Sequence, residues 1–442
     1  MDLNTATASQ IVAAAARGSI TAEAVAAHFL TRISEHEPAI QAFASFDADA
    51  VRAQASNADA SEVKGPLHGL CLGVKDIYDT ADHPTRYFSP IYAHHRPSRD
   101  AAVVALLRAA GAIVMGKTAT TEFAYMHTGP TRNPHDPGRT PGSSSAGSGA
   151  GMAAGFFTAA LGTQTAGSLL KPGSFCGAFA YKPTFGLVSM EGIKPLAPSF
   201  DTAGWYGRGV DDLILLARVL IPALVPESPR ERLRLAVVRA PHTERTNPDV
   251  VEALGRACQR LREAGHGVDE LAMPEGFEVS YADHAFINDV EGTRSLLVER
   301  RGAPEMLSPE ITAMMARADA VSWQEEQRVR TRFSGLRDAV EPLVVGYDAV
   351  LDLATQNPAP LGLAGTGPSD AIKAWSGFGF PQVGLPALAS AEGLPVGLQL
   401  FAARYRDARL LMAAERVAAD LPDAAFQAAA MPNPRRPPGS NG

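Results

Sequence analysis

Pro141-Gly142-Ser143-Ser144-Ser145-Ala146-Gly147-Ser148, followed after an apolar run by Gly162-Thr163-Gln164-Thr165-Ala166-Gly167-Ser168, is the stretch on which the rest of this chain turns. Ser144 and Ser168 stand 24 positions apart in it, and a lysine precedes both in Gly73-Val74-Lys75-Asp76. A serine attacks a carbonyl only when something removes its proton. Here a lysine and a second hydroxyl stand where other hydrolases place histidine and aspartate, so the pattern points to a Ser-Ser-Lys acyl-transfer site. Gly162 to Ser168 reads as a turn-like run of small residues. Such a run can aim several successive backbone N–H groups into one concavity, an oxyanion hole in outline. A Gly/Ser linker would leave the apolar residues 151–162 exposed, which disfavours that reading.

Outward from this stretch, apolar runs alternate with helical patterns, as in an α/β fold whose helices cover a largely buried sheet. Residues 21–35 form an amphipathic helix capped at Thr21, with Val25, Phe29 and Ile33 on one face. Strands are expected at 69–74, 112–115, 233–238, 347–353 and 394–401, and further helices at 249–264 and 407–420. Residues 270–345 are helix-rich and read as a cap or insertion. The Pro- and Arg-rich ending, 431–442, has nothing to bury and is expected to be disordered.

The composition is that of an ordinary globular chain with ample core: 442 residues, 46% hydrophobic and 20% charged. A net charge of -7 without a basic run gives no footprint for nucleic acid, which leaves a small molecule as the expected partner. Cys71, Cys176 and Cys258 are scattered, without disulfide or zinc spacing, and His94, His95 and His127 lack a second ligand pair, so no metal is expected. No apolar stretch approaches the roughly 18 residues of a membrane span, and Met1 to Arg17 lack a basic n-region before their alanine run, so a cytoplasmic location is expected. Gly111-Ala-Ile-Val-Met-Gly116-Lys117-Thr118 matches the phosphate-loop pattern letter for letter. Its context is wrong, because residues 112–115 are themselves strand-like and a helical segment, 101–110, precedes the first glycine.

The chain resembles the amidase signature family. It carries counterparts of GGSSGGS and GT(D/Q)TGGS in the two serine runs, then Phe175-Cys176-Gly177 and Lys182-Pro183-Thr184-Phe185-Gly186 in the same order. Thr121-Glu122-Phe123-Ala124, Thr131-Arg132-Asn133-Pro134 and Gly393-Leu394-Pro395-Val396-Gly397-Leu398-Gln399 extend the likeness over nearly the whole length. Gln164 and the string Ser168-Leu169-Leu170-Lys171-Pro172 are most similar to the malonamidase-type branch. The resemblance implies one large domain over residues 1–430, with a central twisted mixed β-sheet covered by helices on both sides. Within it would lie a helical N-terminal segment (1–60), a catalytic core (65–210) and a helix-rich insertion (about 270–345).

By motif position the resemblance makes Ser168 the nucleophile, Ser144 the bridging serine and Lys75 the general base. It places the N–H groups of Thr165, Ala166, Gly167 and Ser168 around the oxyanion and a cis peptide bond between Ser143 and Ser144. No cofactor is implied. A lysine at its reference pKa of about 10.4 is less than roughly one part in a thousand neutral at pH 7, so Lys75 must be desolvated. Strand alternation would turn Asp76 to the opposite face. Ser143, Ala146 and Ala166 replace family glycines, and Lys171 replaces an arginine that holds a substrate carboxylate. Lys171 keeps the charge without the bidentate fork; a surface salt bridge is its alternative. Tyr125, His127, Gln164, Lys171 and Trp375 are candidates for the substrate pocket, and core packing is the alternative for the aromatics. The expected activity is hydrolysis of a small carboxylic amide, and a homodimer is left open. Two alternatives stand beside it: the glutaminase-type component of a tRNA-dependent amidotransferase, against which Gln164 and Leu170 speak, and a nucleotide-binding protein without catalysis.

Overall fold

Residues along the central strands are buried on both faces, and successive side chains fall into different cores. Leu72 and Val74, Ala159 and Leu161, and Ala203 and Trp205 belong to one apolar cluster; their neighbours Cys71, Ala160 and Tyr206 belong to another. Such two-faced burial requires a sheet covered on both sides. The computed structural model describes residues 1–421 apart from 226, 228 and 229, together with Phe426. The expected disordered tail, 431–442, lies outside the described residues.

The sheet has eleven strands: β1 (Phe43–Phe46), β2 (Cys71–Lys75), β3 (Ile113–Thr118), β4 (Ala159–Gln164), β5 (Phe179–Lys182), β6 (Thr202–Gly207), β7 (Arg234–Arg239), β8 (Gly267–Ala272), β9 (Ala349–Leu353), β10 (Gln382–Ala389) and β11 (Pro395–Phe401). Their order is β1-β3-β2-β4-β6-β5-β10-β11-β9-β7-β8. β3, β2 and β4 run parallel, as do β9, β7 and β8, while the strands joining these groups pair antiparallel. Helices Ala102–Ala109, Val210–Leu220, Pro248–Glu263 and Asp407–Asp420 cover one face. The opposite face is covered by helices of residues 8–60 and Ala146–Ala153 at one end, and by Val279–Ser295, Trp323–Val344 and Asp370–Gly377 at the other. Together they make one large α/β domain with a mixed sheet.

The five expected strands are present, shifted by a residue or two in most cases, and the helix at 407–420 has the expected bounds. Thr21 caps its helix by accepting from the Ala24 N–H, but that helix runs on to Ile40, which is buried one heptad beyond Ile33. Six strands escaped the sequence pattern. β4 shows why: Ala159-Ala160-Leu161-Gly162-Thr163-Gln164 is buried on both faces, so it has no alternation. Gly162, Thr163 and Gln164 are therefore strand rather than the expected turn. A Cβ on Gly162 would lie 2.6 Å from Leu169 Cδ1, so bulk is excluded there. The linker reading fails with it, since residues 151–161 are wholly buried in a helix, a tight turn and β4. Helix Ala146–Ala153 lies equally close: a Cβ on Gly147 would approach the Ala42 carbonyl oxygen to 2.2 Å. Cys71, Cys176 and Cys258 are buried free thiols.

The phosphate-loop match is an artefact of strand composition. Gly116, Lys117 and Thr118 lie inside β3, and the Lys117 ammonium is fully buried, 3.1 Å from Asp76 Oδ1. It also donates to the Tyr78 carbonyl at 2.8 Å and to Thr85 Oγ1 at 2.6 Å. A lysine so committed inside the sheet has no reach to a phosphate. Removing its charge would leave the Asp76 carboxylate buried without a counter-ion, at a cost of about 3–5 kcal/mol. Lys117→Met is therefore expected to lower unfolding stability by that amount in urea titration, whereas ATP should leave the wild-type midpoint unmoved.

Candidate active site

Parallel β3, β2 and β4 end side by side, and open α/β sheets offer their ligand sites at such carboxyl ends. Lys75 is the last residue of β2 and is completely buried. Its Nζ lies 2.7 Å from Ser144 Oγ and 2.8 Å from Thr163 Oγ1, both neutral hydroxyls. Burial holds its pKa well below the ordinary lysine value, and the weaker attraction of Asp201 acts the other way. Asp76, the adjacent residue, adds nothing to re-stabilise the ammonium through an ion pair, because its carboxylate is paired with Lys117. A low-dielectric pocket lined by hydroxyls favours the free amine, the form that can accept a proton.

The serine run approaches this amine by alternation of an ordinary trans chain. Gly142 takes up a φ of +119°, and its α-carbon lies so close to Pro172 that a Cβ would come within 2.8 Å. Successive side chains then point apart. Ser144 faces Lys75, and Ser143 Oγ lies 3.2 Å from Ser168 Oγ. The expected cis bond between Ser143 and Ser144 is not found, since no cis peptide bond occurs among the described residues. The hydroxyl within hydrogen-bond reach of Ser168 is thus that of Ser143, which the sequence marks only as a replaced glycine. The Ser145 N–H donates to the Ser168 carbonyl at 3.2 Å and ties the two serine segments together.

Residues 165–168 connect β4 to helix Leu170–Cys176. Among the described residues no acceptor is found for the N–H groups of Thr165, Ala166, Gly167 and Ser168, whereas those of Leu169 and Leu170 both reach Gln164 Oε1 at 3.1 and 2.9 Å. Unsatisfied donors in a buried segment are what an oxyanion hole requires. The methyl group of Ala166 introduces no strain, because its φ lies outside the left-handed region. Thr165 Oγ1 donates to Asp201 Oδ1 at 2.5 Å, and burial raises the pKa of that carboxyl. Asp201 and Thr163 carried no signal that separated them from neighbouring polar residues in the sequence.

The five pocket candidates divide. The Gln164 amide is spent: its nitrogen donates to Ser376 Oγ at 2.9 Å and Gln382 Oε1 at 2.7 Å, and its oxygen takes the two N–H groups above. It caps a helix start, with all its described hydrogen bonds made inside the fold. Trp375 is also core, with its ring stacked 4.2 Å from Phe401 and its Nε1 donating to Asp352. Tyr125 meets Asp289 and Arg317 through its hydroxyl, and half-exposed His127 meets Glu310; both tie residues 121–127 to the helical insertion. Lys171 is buried and donates to the Gly367 carbonyl at 2.8 Å, with no carboxylate within ion-pair distance among the described residues, so it is not a surface salt bridge. Burial and the nearby Lys373 bring its pKa down to about 7.

Two large cavities lie away from these serines. One of about 750 Å³ is lined by Val238, Leu254, Met273 and Phe277, and one of about 590 Å³ by Arg86, Phe88, Glu122 and His127. Neither is lined by Lys75, Ser144 or Ser168. Among the described residues no three His, Cys, Asp or Glu side chains converge as a metal site needs, and no helix is long and apolar enough to cross a membrane.

Several known proteins are similar to this chain over most of their length. A glutamyl-tRNA(Gln) amidotransferase subunit of Rhodopirellula baltica is 31% identical, with 98% of each chain covered. An amidase of Pseudomonas putida is 32% identical, covering 83% of this chain and 85% of its own. The crystal structure of an amidase superposes with a TM-score of 0.85 at 30% identity, over 93% of this chain and 98% of that one. A structure from work on a vestigial protein complex and the origins of an s-triazine catabolic enzyme gives 0.86 at 29%, over 96% and 100%. The Amidase family profile matches residues 24–411, and the chain belongs to that family of hydrolases acting on amide C–N bonds.

Proposed function

We propose that this chain hydrolyses a small-molecule carboxylic amide to a carboxylate and ammonia or an amine, through an acyl-enzyme on Ser168. The observation that carries the reading is the buried Lys75 amine, 2.7 Å from Ser144 Oγ and without a carboxylate partner among the described residues. Thr163 Oγ1 is the second contact of that amine. With one N–H of a neutral amine donated to Thr163, its lone pair can face the Ser144 hydroxyl. Ser144 passes its proton to Lys75 and takes one from Ser168, whose oxygen bonds to the carbonyl carbon. Ser143 Oγ is the hydroxyl near Ser168 among the described residues, so this reading requires a Ser144 to Ser168 hydrogen bond that forms when substrate binds, as catalytic hydrogen bonds often do. The N–H groups of residues 165–168 donate to the oxyanion, the proton returns to the leaving nitrogen, and water releases the acyl group by the same route.

A second reading is favoured by the relatives that belong to glutamyl-tRNA(Gln) amidotransferases: a glutaminase that works with a partner. It predicts ammonia release from glutamine, rising when the partner protein is added. The first reading predicts turnover of the isolated chain on simple amides.

Ser168→Ala is expected to abolish ammonia release across a panel of amides, half-amides and anilides, and an alkyl fluorophosphonate should label Ser168 on mass mapping. A label elsewhere would move the nucleophile. Ser144→Ala should depress kcat far more than Ser143→Ala.

Because burial depresses Lys75, its base form grows as pH rises through the folded-state pKa. The kcat/KM for an uncharged amide should therefore rise with pH and level off well below about 10.4. Lys75→Met should lower the rate severely and remove that limb; a fully active variant would contradict the assignment.

Lys171 is offered as the contact for an anionic acyl group. Its folded-state pKa of about 7 lies below the ordinary value, so the ammonium is present below pH 7 and lost above it. KM for a half-amide should climb above pH 7 while KM for the neutral amide stays flat. Lys171→Met should erase the difference.

A further inference from the structure

Each carbonyl in the segment that carries the candidate oxyanion donors is held by a hydrogen bond from a different element. His284, on helix Val279–Ser295, places Nε2 3.1 Å from the Thr165 carbonyl oxygen. Ser376, on helix Asp370–Gly377, donates its hydroxyl to the Ala166 carbonyl at 2.5 Å. The Lys171 N–H, in the helix that follows, reaches the Gly167 carbonyl at 3.0 Å. In a planar trans peptide the C=O and N–H point to opposite sides, so a bond that fixes one fixes the other. Holding the carbonyls of Thr165, Ala166 and Gly167 therefore aims the N–H groups of Ala166, Gly167 and Ser168 away from those partners. A carbonyl that accepts a hydrogen bond also polarises its peptide, which strengthens the N–H as a donor.

His284 is built for this single task. Its ring stacks on Phe200 at 4.4 Å with 12° between planes, and it is buried. A carbonyl only accepts, so Nε2 carries the hydrogen. Burial lowers the pKa of the ring to about 4, so it stays neutral and donates near pH 7. Gly377, next to Ser376, leaves the ring its room: a Cβ there would lie 2.8 Å from His284 Cδ2. Phe200 precedes Asp201, which takes the Thr165 hydroxyl, so stacking and side-chain hydrogen bonding anchor the same peptide.

We propose that His284 and Ser376 are positioning residues that hold the Thr165 and Ala166 peptides so that the N–H groups of Ala166 and Gly167 face the acyl oxygen. The proposal rests on the reading of Ser168 as nucleophile. Losing an oxyanion donor outright costs about a hundredfold or more, so loosening one should cost about tenfold.

The test uses the full chain with His284→Phe, which keeps the stack and loses the donor, His284→Gln, which keeps a donor near Nε2, and Ser376→Ala. Steady-state kinetics on the best amide of the panel would be read beside the rate at which an alkyl fluorophosphonate captures Ser168. His284→Phe is expected to lower both kcat and the capture rate about tenfold with KM within about twofold, and His284→Gln to recover most of the loss. Ser376→Ala should shift both rates in the same direction, and it decides the matter if His284→Phe fails to fold. Wild-type kcat and capture rate in the folded variants, with the label still on Ser168, would overturn the positioning role alone. A label off Ser168, with Ser168→Ala still active, would overturn the nucleophile reading and this proposal with it.

Discussion

The site depends on keeping one amine out of water and away from negative charge. Lys75 sits at the end of a central strand with two hydroxyls for company, and burial alone disfavours its ammonium. Any carboxylate at contact distance would restore the charge and remove the proposed base. The nearest one in sequence, Asp76, is neutralised by Lys117 from the neighbouring strand. That buried ion pair is costly to assemble and more costly to break, which makes it a weak stabiliser but a strict determinant of where charge lies. Two lysines on adjacent strands thus meet opposite fates, one paired and one left without a counter-ion.

Close packing supplies the dryness. Small residues in helix Ala146–Ala153 and β4 let backbones approach where a methyl group would collide with a carbonyl or a leucine. The glycine- and serine-rich composition that resembles a flexible linker is the condition for this close approach, and the segment is among the most buried in the chain. The helical insertion between β8 and β9 contributes from the other side. His284 and Phe200 form a stacked pair behind residues 165–168, and Tyr125 and His127 join the pocket segment to helices Val279–Ser295 and Pro309–Asp319. Residues far apart in the chain therefore set the geometry of a site whose proposed reactive atoms come from three short stretches.

Kinship with amidases and with amidotransferase components is compatible with this division. The proposed chemistry resides in the serine run and Lys75, whereas the proposed substrate contact is Lys171, whose surroundings differ from those of an exposed cation. Its amine is held by the Gly367 carbonyl, in the segment preceding helix Asp370–Gly377. A buried ammonium with no anionic partner among the described residues is an unfinished ion pair, and an anionic substrate group is one way to complete it.

Linear order was enough to read the family, the α/β class and the residues nominated for the reaction, because motifs such as Lys182-Pro183-Thr184-Phe185-Gly186 are local strings and helix 407–420 has a local period. It also dismissed the phosphate-loop match from the strand-like residues inside it. β4 was illegible because a strand buried on both faces has no alternation to read. Gln164 and Trp375 were named for the pocket because type and proximity are all that a string contains; their burial and their hydrogen bonds to Gln382 and Asp352, 218 and 23 positions away, could not be read from it. Which hydroxyl faces Ser168 and which carboxylate avoids Lys75 were likewise settled only in three dimensions. Both turn on side-chain direction and dielectric, and these exist only once distant segments have packed.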